Sequence, residues 1–171
     1  MNSQELQGLL ETYQSELKKL SQQALDELRN ISHHMYPHAL EQFGLSAALE
    51  SLCNKIDRES SIFIDANIEV IEVELSLEKQ LQIYRIAQEA ITNTLKHAQA
   101  SSIILIFHKQ GNQLELNIKD NGRGFQKIAE KAANSFGLRS IYERTQLLGG
   151  NISIISAPGQ GTNTILTVPI I

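Results

Sequence analysis

Residues 103–120 leave the chain few ways to fold. Ile103 to His108 is followed by Gly111-Asn112 and then by Gln113 to Asp120, in which Leu114, Leu116 and Ile118 alternate with Gln113, Glu115, Asn117 and Lys119. Period-two alternation puts one set on each face of a strand, and a Gly-Asn pair between two such runs predicts a hairpin with one apolar face. That face needs a cover, and the best candidate is Ser76 to Ala98. At about 100° per residue, Ile83, Tyr84, Ala87, Ile91, Thr94, Leu95 and Ala98 share one side of this helix, and Gln82, Glu89, Asn93, Lys96 and His97 the other. Phe136 to Leu148 reads as another helix stopped by Gly149-Gly150, and Asn151 to Ala157 with Thr162 to Ile170 as a final hairpin around Pro158-Gly159-Gln160-Gly161. Upstream, a break at Glu41 to Gly44 precedes a short helix, Leu45 to Ile56, and a strand, Ser61 to Asp65. The expected class is α+β: a mixed, mostly antiparallel sheet with helices on one face and water on the other.

The first third has a different period. Leu6, Leu10, Tyr13, Leu17, Leu20, Ala24, Leu28, Ile31 and Met35 recur every three or four residues, with one four-four step at Ala24. Such a narrow stripe is the seam of a coiled-coil or bundle helix with a local stutter; the alternative is a terminal helix folded back on its own domain. Pro37 cannot continue that helix. The charge divides at a similar place: residues 1–60 carry 5 basic and 9 acidic side chains and residues 61–171 carry 10 of each, so the net charge of −4 belongs to the first sixty. No basic excess favours nucleic acid. One cysteine, Cys53, supports neither a disulfide framework nor a multi-cysteine zinc site and is expected in a helix core. The longest apolar run, Ile103 to Phe107, is far short of the ~20 residues of a membrane helix, and the N-terminus is polar, so a cytoplasmic chain without a membrane segment is expected.

Chemistry concentrates after the second strand. By parity Asp120 continues the face of Leu114, Leu116 and Ile118, so a carboxylate points inward, where it needs donors. Asn121-Gly122-Arg123-Gly124-Phe125 follows, with glycines that permit close backbone approach; a plain polar turn is the simpler reading of that segment alone. Between Asn121 and Arg139 stand Arg123, Lys127, Lys131 and Arg139 against Glu130, a loop that favours anions, and Gly137-Leu138 opens a helix whose free amides attract phosphate. Gly159, Gly161 and Thr162 form a second Gly-rich turn, which an ordinary hairpin also explains. Glu89 and Asn93, one turn apart, offer hard oxygen ligands of the kind Mg²⁺ accepts alongside water and phosphate oxygens.

With these segments in order, a resemblance becomes specific. Glu89-Ala90-Ile91-Thr92-Asn93-Thr94-Leu95-Lys96-His97-Ala98 resembles the N box of GHKL ATPases, above all of two-component sensor histidine kinases of the nitrate-sensor and desaturase-thermosensor type. Asp120-Asn121-Gly122-Arg123-Gly124-Phe125 is similar to their G1 box, Gly137 to Arg144 with Leu148-Gly149-Gly150 to the segment closing a short ATP lid, and Gly159-Gln160-Gly161-Thr162 to the last glycine box. The resemblance implies an ATP-binding Bergerat two-layer α/β sandwich over 45–171. It implies that Asp120 accepts from the adenine amino group with support from Thr162, and that Gly122 and Gly124 let the ring lie against backbone. Gly137, Leu138 and Gly161 belong to the implied ATP site, Asn93 holds Mg²⁺, Glu89 orients that ligand or its water, and Lys96, His97 and Arg123 reach phosphates.

Residues 1–44 are similar in part, from Glu27 through Pro37, to the second helix of the family's dimerisation and phosphotransfer hairpin. No His-Asp or His-Glu pair follows a basic run, so the resemblance implies a homodimer through this helix and a phosphoacceptor histidine, with any sensor or membrane anchor, in a segment preceding residue 1. A response regulator then takes the phosphoryl group. Two alternatives stand beside this: another GHKL enzyme, either an ATP-hydrolysing clamp or an anti-sigma-type serine kinase, and a nucleotide-sensing dimerisation module without catalysis. Neither His33 nor His34 is followed by an acid to take its proton, and His38 and His108 read as surface residues. Incubating this chain with ATP is therefore expected to leave no acid-labile phosphate on it; label that vanishes on substitution of His33 or His34 would overturn that expectation.

Overall fold

The structure is a computed structural model and describes residues 37–71, 75–126 and 136–170. The chain divides into two compact units, residues 1–38 and 39–171, and nearly all described residues belong to the second. The predicted seam from Leu6 to Met35 lies outside the described residues, as do Lys127, Glu130 and Lys131.

Helix α1 spans His38–Glu59, directly after Pro37. The expected break at Glu41 to Gly44 is reduced to one residue, Gly44, at φ 79° and ψ −176°. Glycine takes that conformation at little cost. The kink lets Leu40 before it and Leu45, Ala48, Leu49, Leu52 and Cys53 after it all reach the core. Strand β1, Phe63–Ile68, starts two residues later than expected, because Ser60 and Ser61 form the helix exit, with Ser60 N donating to Ile56 O and Ser60 Oγ accepting from Ile62 N.

Helix α2, Leu77–Asn93, is capped by Ser76 Oγ, which accepts from Lys79 N at 3.3 Å. The expected single helix to Ala98 is interrupted. From Thr94 to Ala98 the chain makes a π turn, closed by Gln99 in the left-handed region at φ 53°. A π turn advances less than 100° per residue, so positions after Asn93 depart from the helical wheel. Thr94 and Ala98 are buried as expected, whereas Leu95, assigned to the apolar face, is 37% exposed.

Strands β2, Ser102–Gln110, and β3, Gln113–Asp120, form the predicted hairpin across Gly111-Asn112, with Gln110 opposite Gln113. Helix α3, Phe136–Leu147, ends before Gly149 at φ 62°, and β4, Asn151–Ser156, and β5, Thr162–Pro169, complete the sheet. The strand order is β1-β2-β3-β5-β4, with only β1 and β2 parallel. Side chains from α1, α2, α3 and one sheet face share a single core, in which Leu49, Ile86, Ile103, Leu105, Phe107, Leu116 and Leu166 are almost fully buried. Among the described residues no helix is long and apolar enough to cross a membrane.

Cys53 is a core residue, as expected. Burial pushes its thiol from an ordinary 9.0 up to about 11, with the nearby Glu50 charge acting in the same direction. Burial also raises Tyr84 above its ordinary value. In both cases the unfolded chain gives up its proton first, so stability is full below the unfolded value and falls as pH rises through the folded one. Denaturation midpoints should therefore decline between about pH 9 and pH 11, and Cys53→Ala should flatten the earlier part of that decline.

Candidate functional site

The parity of β3 carries Asp120 to the inner face at the strand's end, where it is 4% exposed. Two donors meet its carboxylate: Thr94 Oγ1 to Oδ2 at 3.2 Å and Gly122 N to Oδ1 at 2.8 Å. Each oxygen keeps further acceptor capacity. The Thr94 hydroxyl also lies 3.2 Å from Ala90 O, so its one proton is shared between two acceptors. Thr94 reaches this place because it opens the π turn at the end of α2.

The segment after Asp120 is stitched on both sides. Asn121 Oδ1 accepts from Ser101 N and Ser102 N at 2.9 and 3.0 Å, and Arg123 N donates to Ala98 O at 2.7 Å. On the far side Gly159 N donates to Arg123 O at 2.6 Å, and Ser156 Oγ accepts from Phe125 N at 2.9 Å while donating to Gly161 O at 2.8 Å. These crossings leave no room for side chains. A Cβ on Gly124, at φ 59°, would stand 2.1 Å from Ala157 O, and one on Gly161, at φ 69°, 2.1 Å from Asp120 O. A Cβ on Gly122 would stand 2.5 Å from Ala98 O. The space these glycines release is occupied by neighbouring chain.

Between α2, α3 and the ends of β3 and β5 lies a cavity of about 820 Å³. Asn93, His97, Asp120, Arg123, Gly124, Gly137, Leu138 and Thr162, all singled out in the sequence, line it. Thr162 stands opposite Asp120 in the β3–β5 register, and its hydroxyl lies 3.2 Å from Ser156 Oγ. Gly122 and Gly161 are buried outside the lining. Lys96 is also outside it, while the next residue, His97, is on the lining; both are exposed. Glu89 does not line the cavity. Its carboxylate sits against the first turn of α3, where a Cβ on Gly137 would be 2.2 Å from Glu89 Oε1 and 3.4 Å from Asn93 Nδ2.

Several lining residues were not singled out as site residues. Thr94 was read as a small buried position, and Thr164, two residues beyond Thr162 on the same face of β5, was legible from period two. Ile118, Ile141 and Ile154 supply apolar walls. The result is a largely apolar cavity with a buried carboxylate, an amide, an imidazole, a guanidinium and a helix N-terminus on its wall. Among the described residues no group of three or more His, Cys, Asp or Glu side chains could hold a metal alone.

The architecture is that of histidine-kinase ATP-binding domains. The histidine kinase domain of the Erythrobacter litoralis EL346 blue-light activated histidine kinase superposes with a TM-score of 0.65 at 21% identity, over 74% of this chain and 61% of that one. The ATP binding domain of PrrB from Mycobacterium tuberculosis does so with a TM-score of 0.59 at 20% identity, over 74% of this chain and 94% of that one. Residues 78–171, more than half of the chain, match the family described as histidine kinase-, DNA gyrase B-, and HSP90-like ATPase, and the chain belongs to that family. It is 34% identical over 154 residues to the sensor histidine kinase LiaS of Bacillus subtilis (strain 168), covering 90% of this chain and 42% of that protein. It is 32% identical over 155 residues to the signal transduction histidine-protein kinase/phosphatase DegS of Brevibacillus brevis, covering 91% and 40%. The chain thus spans about two fifths of the length of these relatives.

Removing the Thr94 hydroxyl leaves Asp120 Oδ2 without its described donor. Thr94→Val should cost about 1–3 kcal/mol in chemical denaturation, whereas Thr94→Ser should recover most of it.

Proposed function

We propose that this chain is the catalytic and ATP-binding part of a sensor histidine kinase, residues 45–171 forming the nucleotide domain and residues 1–44 belonging to a dimerisation helix. The observation that carries the reading is the Asp120 carboxylate, buried at the wall of an apolar cavity of nucleotide size and still able to accept from an amino group. Ile118, Ile141 and Ile154 suit a flat base, and the donors of Asn93, His97, Arg123 and the first turn of α3 suit phosphates.

In this reading Asp120 accepts from the exocyclic amino group of adenine and Thr162 supports it. Asn93 contributes an oxygen to Mg²⁺, and Glu89, beside it, orients that ligand or a coordinated water. One carboxylate and one amide suit Mg²⁺, which keeps waters and takes phosphate oxygens for the rest of its shell. Bound Mg-ATP supplies the phosphoryl group and the cation that neutralises it. The chain's own residues position and shield it, and phosphoryl transfer asks for little else, so the site needs no nucleophile. The acceptor is a histidine on an upstream helix of the homodimer, from which a response regulator is phosphorylated in the cytoplasm.

Isothermal titration with ATP, with and without Mg²⁺, tests the reading. Binding should require Mg²⁺ for full strength, Asp120→Asn should weaken it by about 10- to 150-fold, and Asn93→Ala should remove the Mg²⁺ dependence. ATP binding of unchanged strength in a folded Asp120→Asn protein would overturn the assignment.

A further inference from the structure

Helices α2 and α3 run antiparallel, with Glu89 against Gly137 at one end of their seam and Gln82 against Arg144 at the other. Arg85 and Arg144 lie along this seam, both half-buried. Neutral groups hold their guanidinium groups: Arg85 Nη1 donates to Gln88 Oε1 at 2.5 Å, Arg144 Nη1 to Gln82 Oε1 at 2.7 Å, and Arg144 Nε to Ser140 Oγ at 3.2 Å. Among the described residues no carboxylate pairs with either. Glu143, next to Arg144 in sequence, pairs with Arg139 at 2.8 Å instead, and Glu89 lies against Gly137. Burial holds Arg85 below its ordinary value; the neighbouring Tyr84 opposes this, and the Arg144 charge adds to it.

Two half-buried cations along one helix seam, each held by neutral side chains and without a counter-charge among the described residues, form a prepared receptor for an anion. Neither arginine lines the 820 Å³ cavity, so the nucleotide is not its natural occupant. Arg85 keeps the Nε–Nη2 edge of its fork without an acceptor among the described residues, and that planar edge matches a carboxylate bidentately. One turn beyond Arg144, Leu147 is 71% exposed and offers apolar contact of the kind a protein uses and a free ion does not. We propose that Arg85 and Arg144 form a second anion site, separate from the cavity, that takes a carboxylate side chain of a protein docking along the α2–α3 seam.

The test follows arginine Nε–Hε resonances by NMR in the full chain while hexaglutamate is added, with hexaglutamine and inorganic phosphate as comparison probes. Hexaglutamate should shift the Arg85 and Arg144 signals saturably. Arg139, already paired with Glu143, should stay in place, and hexaglutamine should have no effect. In Arg85→Gln or Arg144→Gln the apparent affinity should fall at least about tenfold, with Arg144→Lys intermediate because it keeps charge and loses the fork. An absent or non-saturating shift, or an equal shift at Arg139, overturns the proposal. Saturation by inorganic phosphate but not by hexaglutamate overturns the carboxylate assignment. Movement of both arginines with ATP returns them to the nucleotide site, whereas failure of ATP to perturb cavity residues counts against the kinase reading alone.

Discussion

The described part of this molecule is organised around one carboxylate taken out of water. Asp120 ends a strand whose other inward residues are Leu114, Leu116 and Ile118, and an ionised group there is tolerated only where donors are supplied in fixed positions. Two different pieces of chain supply them. Gly122 N belongs to the turn that follows, while Thr94 Oγ1 belongs to the far end of α2. Satisfying Asp120 therefore fixes the helix end against the sheet, and the same contact decides where the cavity begins.

The π turn from Thr94 to Ala98 performs the second placement. It brings Thr94 to Asp120, presents Ala98 O to Arg123 N, and places His97, but not Lys96, on the cavity lining. A continuous α-helix would have carried the side chains after Asn93 around at another angle. Irregular helical turns of this kind are often found at functional sites.

This is also where reading from sequence stopped short. The β2–β3 hairpin, the inward aspartate, and the convergence of Asn93, Asp120, Arg123 and Gly137 were all legible, since period two, helical spacing and glycine-rich turns are local signals. The π turn was not, because nothing in Thr94-Leu95-Lys96-His97-Ala98 distinguishes five-residue from four-residue hydrogen bonding; Leu95 was misplaced for that reason. Thr94 was overlooked because its small side chain fitted the apolar stripe. Ser156, which joins Phe125, Gly161 and Thr162, is meaningful only once three distant backbones meet.

The double fastening of residues 123–125 bears on how such a domain can diverge. Arg123 and Phe125 are tied to the β4–β5 turn, and α3 begins again at Phe136 with its own contacts to α2. Both anchors of the intervening stretch are thus secured by bonds that do not involve it. Lengthening a connection between two fixed ends adds closure entropy only logarithmically, about 0.6 kcal/mol per doubling. Insertions and deletions between residues 126 and 136 should therefore be nearly neutral for the sheet register, so that evolution can rewrite this stretch while the aspartate and its donors stay where they are.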